Sequence, residues 1–261
     1  MTDNCLFSNF ISNSRYIKQL IQKEKFEKKQ LQGKNEKYII TTVDAPFNGV
    51  KKALVIAGSD RRGTIYGVYE LSKQLGVSPW YWWMDVPVVK RIEAYILPGI
   101  YTDGEPAVKY RGIFLNDEAP CLTSWVKQYY GTDFGDHRFY AQVCELILRL
   151  KGNFLWPAMW GWAFYADDSL NSKTADEMGV IIGTSHHEPM ARNHQEWARK
   201  RNEYGAWNYS TNKKVLDQFF REGIERVKNT EDIITIGMRG DGDEAMSEDT
   251  NVKLMESIVE K

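Results

Sequence analysis

DIITIGMRGDGDEAM, residues 232–246, starts as an apolar, β-branched run and ends in one cation and three acids hinged on glycines. Residues 232–238 read as a buried strand, with Arg239, Asp241, Asp243 and Glu244 as its polar tail. Three earlier runs share this form. YRGIFLN (110–116) leads into Asn116, Asp117 and Glu118, and GNFLWPAM (152–159) brings Trp156, Pro157 and Trp160. GVIIGTS (179–185) leads into His186, His187 and Glu188. Helical patterns separate the runs: Val143, Leu146, Ile147 and Leu150 in one, and Leu216, Phe219, Phe220, Ile224 and Val227 in another. Strands alternating with helices predict a parallel sheet with right-handed crossovers, either doubly wound or part of a (β/α)8 barrel. Parallel strands carry all four tails to one end, and in barrels that end holds the active site. The α/β class expected for residues 106–261 is therefore about four βα units of a barrel. Phe114, Leu155, Ile181 and Ile234 are expected on its inner face.

The first part of the chain has a different texture. KALVIAGSDRRGTIYGVYELSKQLG (52–76) reads as strand, glycine loop and helix, with Ile65, Val68, Leu71 and Leu75 at helical spacing and Gly76 as the stop. KEKFEKKQLQGKNEK (23–37) is a solvated charge run, a helix surface or a frayed connector. PWYWWMDVP (79–87) has aromatics on both alternating faces, so an extended form would be covered on both sides. PGIYTDGEPAVK (98–109) is dense in turn formers and marks the expected boundary between a small N-terminal α/β domain, 1–105, and the barrel portion.

The 34 Lys and Arg against 35 Asp and Glu, net charge -1, give no electrostatic case for nucleic acid or an anionic membrane surface. Cys5, Cys121 and Cys144 are widely spaced and odd in number, so neither a disulfide framework nor a zinc site is indicated. No apolar run is long enough to cross a bilayer, and MTDNCLFSNFISNSRYIKQL (1–20) lacks the layout of a signal peptide. No cofactor is implied.

Each motif has a plain alternative. GSDRRGT (58–64) has phosphate-loop glycine spacing but no lysine after Gly63, so it reads as a structural turn, with anion binding the other option. HHEP fails the helical zincin pattern because Ala191, not histidine, follows His187 by four. The pair His186 and His187 suits a polar pocket or structural hydrogen bonds. DGDE fails the calcium-loop template at Ala245 and Met246, leaving a solvated charge cluster or a pocket wall. NDEAP (116–120) offers helix-capping acids or a pair of site carboxylates, and residues 80–83 offer interface packing or a sugar platform. Trp160 and Trp162 lie nearer the tails and suit sugar stacking. Carboxylates from two strands, histidines, tryptophans and one arginine fit hydrolysis of a glycoside. The arginine favours an acidic sugar, because its fork matches a carboxylate.

Five blocks carry a family resemblance: GSDRRGTIYGVYELSKQLGVSPWYWWMDVP, KYRGIFLNDEAP, LRLKGNFLWPAMWG, MGVIIGTSHHEPMARNHQEW and GMRGDGDEAM. In this order they resemble glycoside hydrolase family 115, the xylan α-1,2-glucuronidases, from about Ala53 to the end. Residues 1–35 match poorly. The resemblance implies a secreted, inverting enzyme that removes glucuronic acid, or its 4-O-methyl ether, from xylose units of glucuronoxylan. It implies a possible homodimer in the full-length protein. Asp117, His186, Arg239 and Asp243 match the uronate pocket, with Asp117 and Asp243 as candidate catalytic groups. Glu118, Trp160, His187 and Glu244 join His186 and Arg239 as candidate substrate-binding residues. Family members are far longer, so the chain is expected to be a truncated half-barrel, inactive alone. The rival expectation is a fragment that binds acidic xylan without turning it over.

Overall fold

The computed structural model describes residues 4–10, 14–115, 120–157, 161–242, 244–246 and 252–260. The chain divides into two compact units, Met1–Arg111 with Leu148–Gly152, and Gly112–Ile147 with Asn153–Lys261. Among the described residues, no helix is long and apolar enough to cross a membrane.

In the first unit, β1 (Asn4–Phe10), β2 (Tyr38–Asp44), β3 (Lys52–Gly58) and β4 (Ile100–Tyr101) form one sheet in the order β1-β3-β2-β4. β1 runs parallel to β3, and β2 is antiparallel to both β3 and β4. One sheet face presents Ile39, Val43, Ala53, Val55 and Ala57 to Ile17 and Leu20 of α1 (Arg15–Gln22), and to Phe26 and Leu31. The charge run 23–37 is thus more than a surface or a frayed connector. Its two apolar residues are five apart, a spacing that fits neither helix nor strand, and both are buried in this core.

α2 (Arg61–Gln74) covers the other face through Tyr66 and Gly67, not through the expected stripe: Ile65 and Leu71 are half-buried, and Val68 and Leu75 are exposed. Close approach explains the offset. A Cβ on Gly67 would stand 2.6 Å from Ile56 Cγ2 and 3.2 Å from Tyr38 Cβ, so the helix seats where it has no side chain. Asp60 caps this helix: its carboxylate accepts from the Gly63 amide at 2.8 Å and from the Glu36 amide at 2.6 Å. The place a bound anion would take is filled by the chain's own carboxylate, so GSDRRGT is a structural turn. Residues 79–87 do not form a strand covered on both sides. Pro79 to Trp83 coil into a turn, Trp82 and Trp83 meet edge-on at 4.7 Å, and Met84 to Pro87 are exposed.

In the second unit, β5 (Gly112–Phe114), β6 (Phe154–Trp156) and β7 (Ile181–Ile182) form a parallel sheet in chain order. The expected fourth strand reduces to one parallel bridge, Gly183 to Ile233. Among the described residues no barrel closes. Helices fill the intervals: α3 (Cys121–Tyr130), α4 (His137–Arg149), α5 (Phe164–Asp167), α6 (Leu170–Met178), α7 (His194–Arg199), α8 (Arg201–Tyr204), α9 (Tyr209–Val227) and α10 (Val252–Val259). α9 buries Leu216, Phe219, Phe220 and Val227 as its stripe predicts, while Ile224 is exposed. Leu216, Phe219 and Phe220 join Trp197, Trp207, Tyr209, Met238 and Ile258 in one cluster.

The register corrects the expected inner face. Ile113 pairs with Leu155, and Leu155 with Ile182, whereas Phe114 pairs with Trp156. Leu155 and Ile181 therefore point to opposite faces, as do Leu155 and Phe114, and the four residues named from sequence are not one layer. A one-residue offset between strands reverses every side chain, and no short apolar run discloses that offset.

Candidate functional site

The sheet pairing brings the C-terminal ends of the four segments side by side. Leu115 N donates to Trp156 O at 2.9 Å, Gly183 N to Leu155 O at 2.9 Å, and Ile233 N to Ile182 O at 2.8 Å. The Thr235 hydroxyl then donates to Thr184 O at 2.5 Å. The chain leaves the first end at Leu115, before Asp117 and Glu118, and the second at Pro157, before Trp160. Asp117, Glu118, Trp160 and Asp243 lie outside the described residues.

The other four named residues occupy the third and fourth ends. His186 is exposed and His187 buried, with their rings 4.3 Å apart. Arg239 is half-buried and Glu244 exposed. The turn that carries Arg239 closes on itself: Gly240 N donates to Glu244 O at 3.0 Å and Glu244 N to Asp241 O at 3.4 Å. A Cβ on Gly240 would meet Ala245 O at 2.3 Å, which is why the turn needs glycine there.

Two neighbouring helices, α7 and α8, and the connection after α8 hold this turn. The Trp207 indole donates to the Arg239 carbonyl at 2.9 Å. Arg201 grips the Asp241 carboxylate with both guanidinium arms, at 2.5 and 2.8 Å, and His194 Nε2 stands 2.9 Å from the same group. The Arg201 guanidinium, with help from His194, holds the Asp241 carboxyl below the usual carboxylate range. The Gly242 amide points at the same His194 Nε2, at 3.3 Å. One of the three acids in the loop is therefore committed to the protein itself.

The turn after β7 is tied down by backbone bonds and one buried acid. His187 N donates to Ser185 Oγ at 3.1 Å, His194 N to His187 O at 2.9 Å, and Met190 N to Thr235 O at 2.9 Å. Met190 and Ala191 both take left-handed backbone angles, φ 50° and 56°, uncommon for residues with side chains. Glu188 is fully buried. Its Oε1 accepts from Asn193 Nδ2 at 2.9 Å, and its Oε2 has no hydrogen-bond partner. Burial lifts its pKa to about 7, with the nearby Glu196 carboxylate pushing the same way.

Sequence reasoning placed Glu188 in a polar tail but gave it no role in the site, and it did not name the holding residues His194, Arg201 and Trp207. One signal was available. Asn193 and Glu196 have capping-box spacing, and the box forms, which fixes the start of α7 and places His194 in its first turn. Nothing local marks Arg201, because its partner lies 40 residues away. An apolar cavity of about 390 Å³ opens among α9, α10 and the fourth segment, and its described lining includes none of His186, His187, Arg239 and Glu244. Among the described residues, no group of three or more His, Cys, Asp or Glu could hold a metal ion.

Comparison with known proteins adds three findings. Residues 103–261 match the family model described as glycosyl hydrolase family 115. A solved structure described as "A novel family GH115 4-O-Methyl-alpha-glucuronidase, BtGH115A, with specificity for decorated arabinogalactans" is similar at TM-score 0.82 and 33% identity. The match covers 98% of this chain and 33% of that one, so the chain spans about a third of that protein's length. Among curated proteins nothing matches.

Proposed function

Because this chain belongs to glycosyl hydrolase family 115, we propose that it carries part of the site of an inverting α-glucuronidase, on the first four βα units of a (β/α)8 barrel that follows an N-terminal domain of about 105 residues. The observation that carries the reading is 33% identity, sustained over 98% of the chain, with a protein described as a 4-O-methyl-α-glucuronidase. The substrate is glucuronic acid or its 4-O-methyl ether, α-1,2-linked to xylose in glucuronoxylan. The solved neighbour is described as specific for decorated arabinogalactans, so the backbone under the uronic acid is the element to establish by assay.

The proposed roles follow from chemistry. Arg239 pairs with the uronate carboxylate, since a guanidinium fork matches two carboxylate oxygens. Asp117 and Asp243 handle the protons: one carboxyl protonates the leaving oxygen of the xylose, while a carboxylate takes a proton from the water that attacks the anomeric carbon. Trp160 offers a face to a sugar ring. Glu118, His186, His187 and Glu244 receive and orient hydroxyls. No cofactor enters this scheme.

The test is Arg239→Ala in the longest natural chain that contains these residues, assayed for uronic acid release from 4-O-methylglucuronoxylan and from a decorated arabinogalactan in parallel. Losing a charge-assisted contact costs about 1.5–3 kcal/mol, or roughly ten- to hundredfold in kcat/KM. Kinetics within twofold of wild type would sink the role given to the arginine. A second reading, binding of acidic xylan without turnover, draws on the open sheet of three strands and one bridge. For it to hold, residues 1–261 must bind acidic xylo-oligosaccharides and release no uronic acid.

A further inference from the structure

Exposed ion pairs contribute little in most proteins, and Arg201 and Asp241 are each nearly half exposed. Their setting gives this pair a different weight. The turn from Arg239 to Ala245 closes through Gly240, and its Gly242 amide reaches outside it, to His194 Nε2 at 3.3 Å. Among the described residues, two further fastenings join it to the rest of the unit. One is the Trp207 indole on the Arg239 carbonyl, from a ring packed edge-on to Trp197 at 5.2 Å and to His194 at 4.9 Å. The other is the Asp241 carboxylate, which receives both arms of Arg201 and faces His194 Nε2. His194 thus touches both fastenings, through its ring against Trp207 and through Nε2 against Asp241. The capping box of Asn193 and Glu196 fixes the helix turn that presents it.

We propose that Arg201, His194 and Asp241 are positioning residues for uronate recognition, a three-member clasp that sets the turn carrying Arg239 against α7 and α8. The inference rests on the glucuronidase reading for the identity of the ligand, but the clasp itself does not. A bidentate arginine contact fixes angle as well as distance. With one atom of the turn held at the Arg239 carbonyl and a second point held two residues on, the Arg239 backbone loses its freedom to rotate. Preorganising a recognition loop in this way improves affinity by removing the ordering cost at the moment of binding. Asp241 acts through Arg239 and does not itself meet the sugar.

The experiment compares wild type with Arg201→Met, Arg201→Lys and Asp241→Asn by two readouts. Hydrogen exchange follows the amides of Gly240 and Gly242, with β5, β6 and β7 as internal reference. Calorimetric titration with D-glucuronic acid follows recognition. Arg201→Met is expected to speed exchange in the turn at least tenfold, leave the three strands unchanged, and weaken glucuronate binding at least threefold. Arg201→Lys, which keeps the charge and loses the fork, is expected to recover part of both effects. Asp241→Asn keeps the shape and removes the carboxylate charge, and should match Arg201→Met in direction. Turn exchange unchanged in Arg201→Met would overturn the clasp. Faster exchange with glucuronate affinity unaltered would overturn its part in recognition. A wild-type protein that fails to bind D-glucuronic acid would defeat the functional reading, while the exchange data would still decide the clasp.

Discussion

Two turns in this chain, GSDRRGT at 58–64 and RGDGDE at 239–244, use nearly the same letters and are wired in opposite ways. Each follows an apolar segment, flanks an aspartate with glycines and carries arginine. In the first, Asp60 is satisfied by backbone amides, those of Gly63 and Glu36, at the head of a helix. In the second, Asp241 is satisfied by side chains from two short helices, and the turn is pinned through a buried tryptophan. The first arrangement is local in sequence or lies just ahead of the adjacent strand, and it spends the Asp60 carboxylate on backbone amides. The second depends on residues 32 to 47 positions away. Motif letters do not separate a turn whose aspartate is held by backbone amides from one whose aspartate is held by distant side chains. The partners of the aspartate do.

The contrast can be broken most forcefully at Trp207. Trp207→Ala removes a core side chain together with the anchor of the second turn, and substitutions of that kind cost about 3–5 kcal/mol. Urea unfolding of the variant should show a loss of that size. A cost below about 1 kcal/mol would mean that the second turn is not fastened to a core at all.

Glu188 sharpens the contrast, because it is the acid that side-chain wiring leaves half satisfied. A carboxyl whose folded pKa is raised binds its proton more tightly in the folded state, so stability is greatest at low pH. It falls as pH climbs from 4.5, the ordinary value, toward about 7. The full interval corresponds to on the order of 3 kcal/mol. Glu188→Gln lacks this titration, and its stability relative to wild type should improve by about that amount between pH ~4.5 and pH ~8. Parallel urea titrations at the two pH values measure it, and a difference that stays flat would show that the acid is paired and charged throughout.

The smallest effect compares the two aspartates directly. Asp60→Ala should cost about 1–2 kcal/mol, the range for a helix cap, and the cost should persist in high salt. Asp241→Ala should cost less than about 1 kcal/mol, and that cost should shrink with salt, as for exposed ion pairs. Equal losses with equal salt response would erase the distinction between backbone and side-chain wiring.

How much of this was legible depends on what fixed each feature. The runs around Leu155 and Ile182 announced themselves because they are apolar on both faces, and the α9 stripe because helix periodicity alone selects Leu216, Phe219, Phe220 and Val227. Chain order in the second sheet followed from strands alternating with helices. Register did not follow, since Phe114 and Leu155 differ in face by an offset that neither run encodes. The buried face of α2 was misjudged because Gly67, invisible to any hydrophobicity count, decides where the helix touches the sheet. The candidate site was read as a set of polar tails, and four of its expected members, Asp117, Glu118, Trp160 and Asp243, lie outside the described residues. Its support was hardly legible: Arg201 looks like any surface arginine, and Glu188 looks like the third member of a polar tail instead of a buried acid.

The fourth segment of the second sheet has one more lesson, about drift. β5, β6 and β7 are joined by main-chain rungs, which survive any exchange of side chains that keeps the strands in place. Beyond the Ile233 rung, the fourth segment is joined partly by hydroxyls and a carboxylate: Asp232 accepts from the Ile182 amide at 3.2 Å, and Thr184 and Thr235 bond each other's backbones at 3.3 and 2.5 Å. Thr→Val at 184 or 235 nearly keeps size and shape, yet it would strip out a rung by removing the hydroxyl. Tolerance to substitution should therefore drop sharply from the third segment to the fourth, at the edge where the sheet passes from backbone pairing to pairing by side chain.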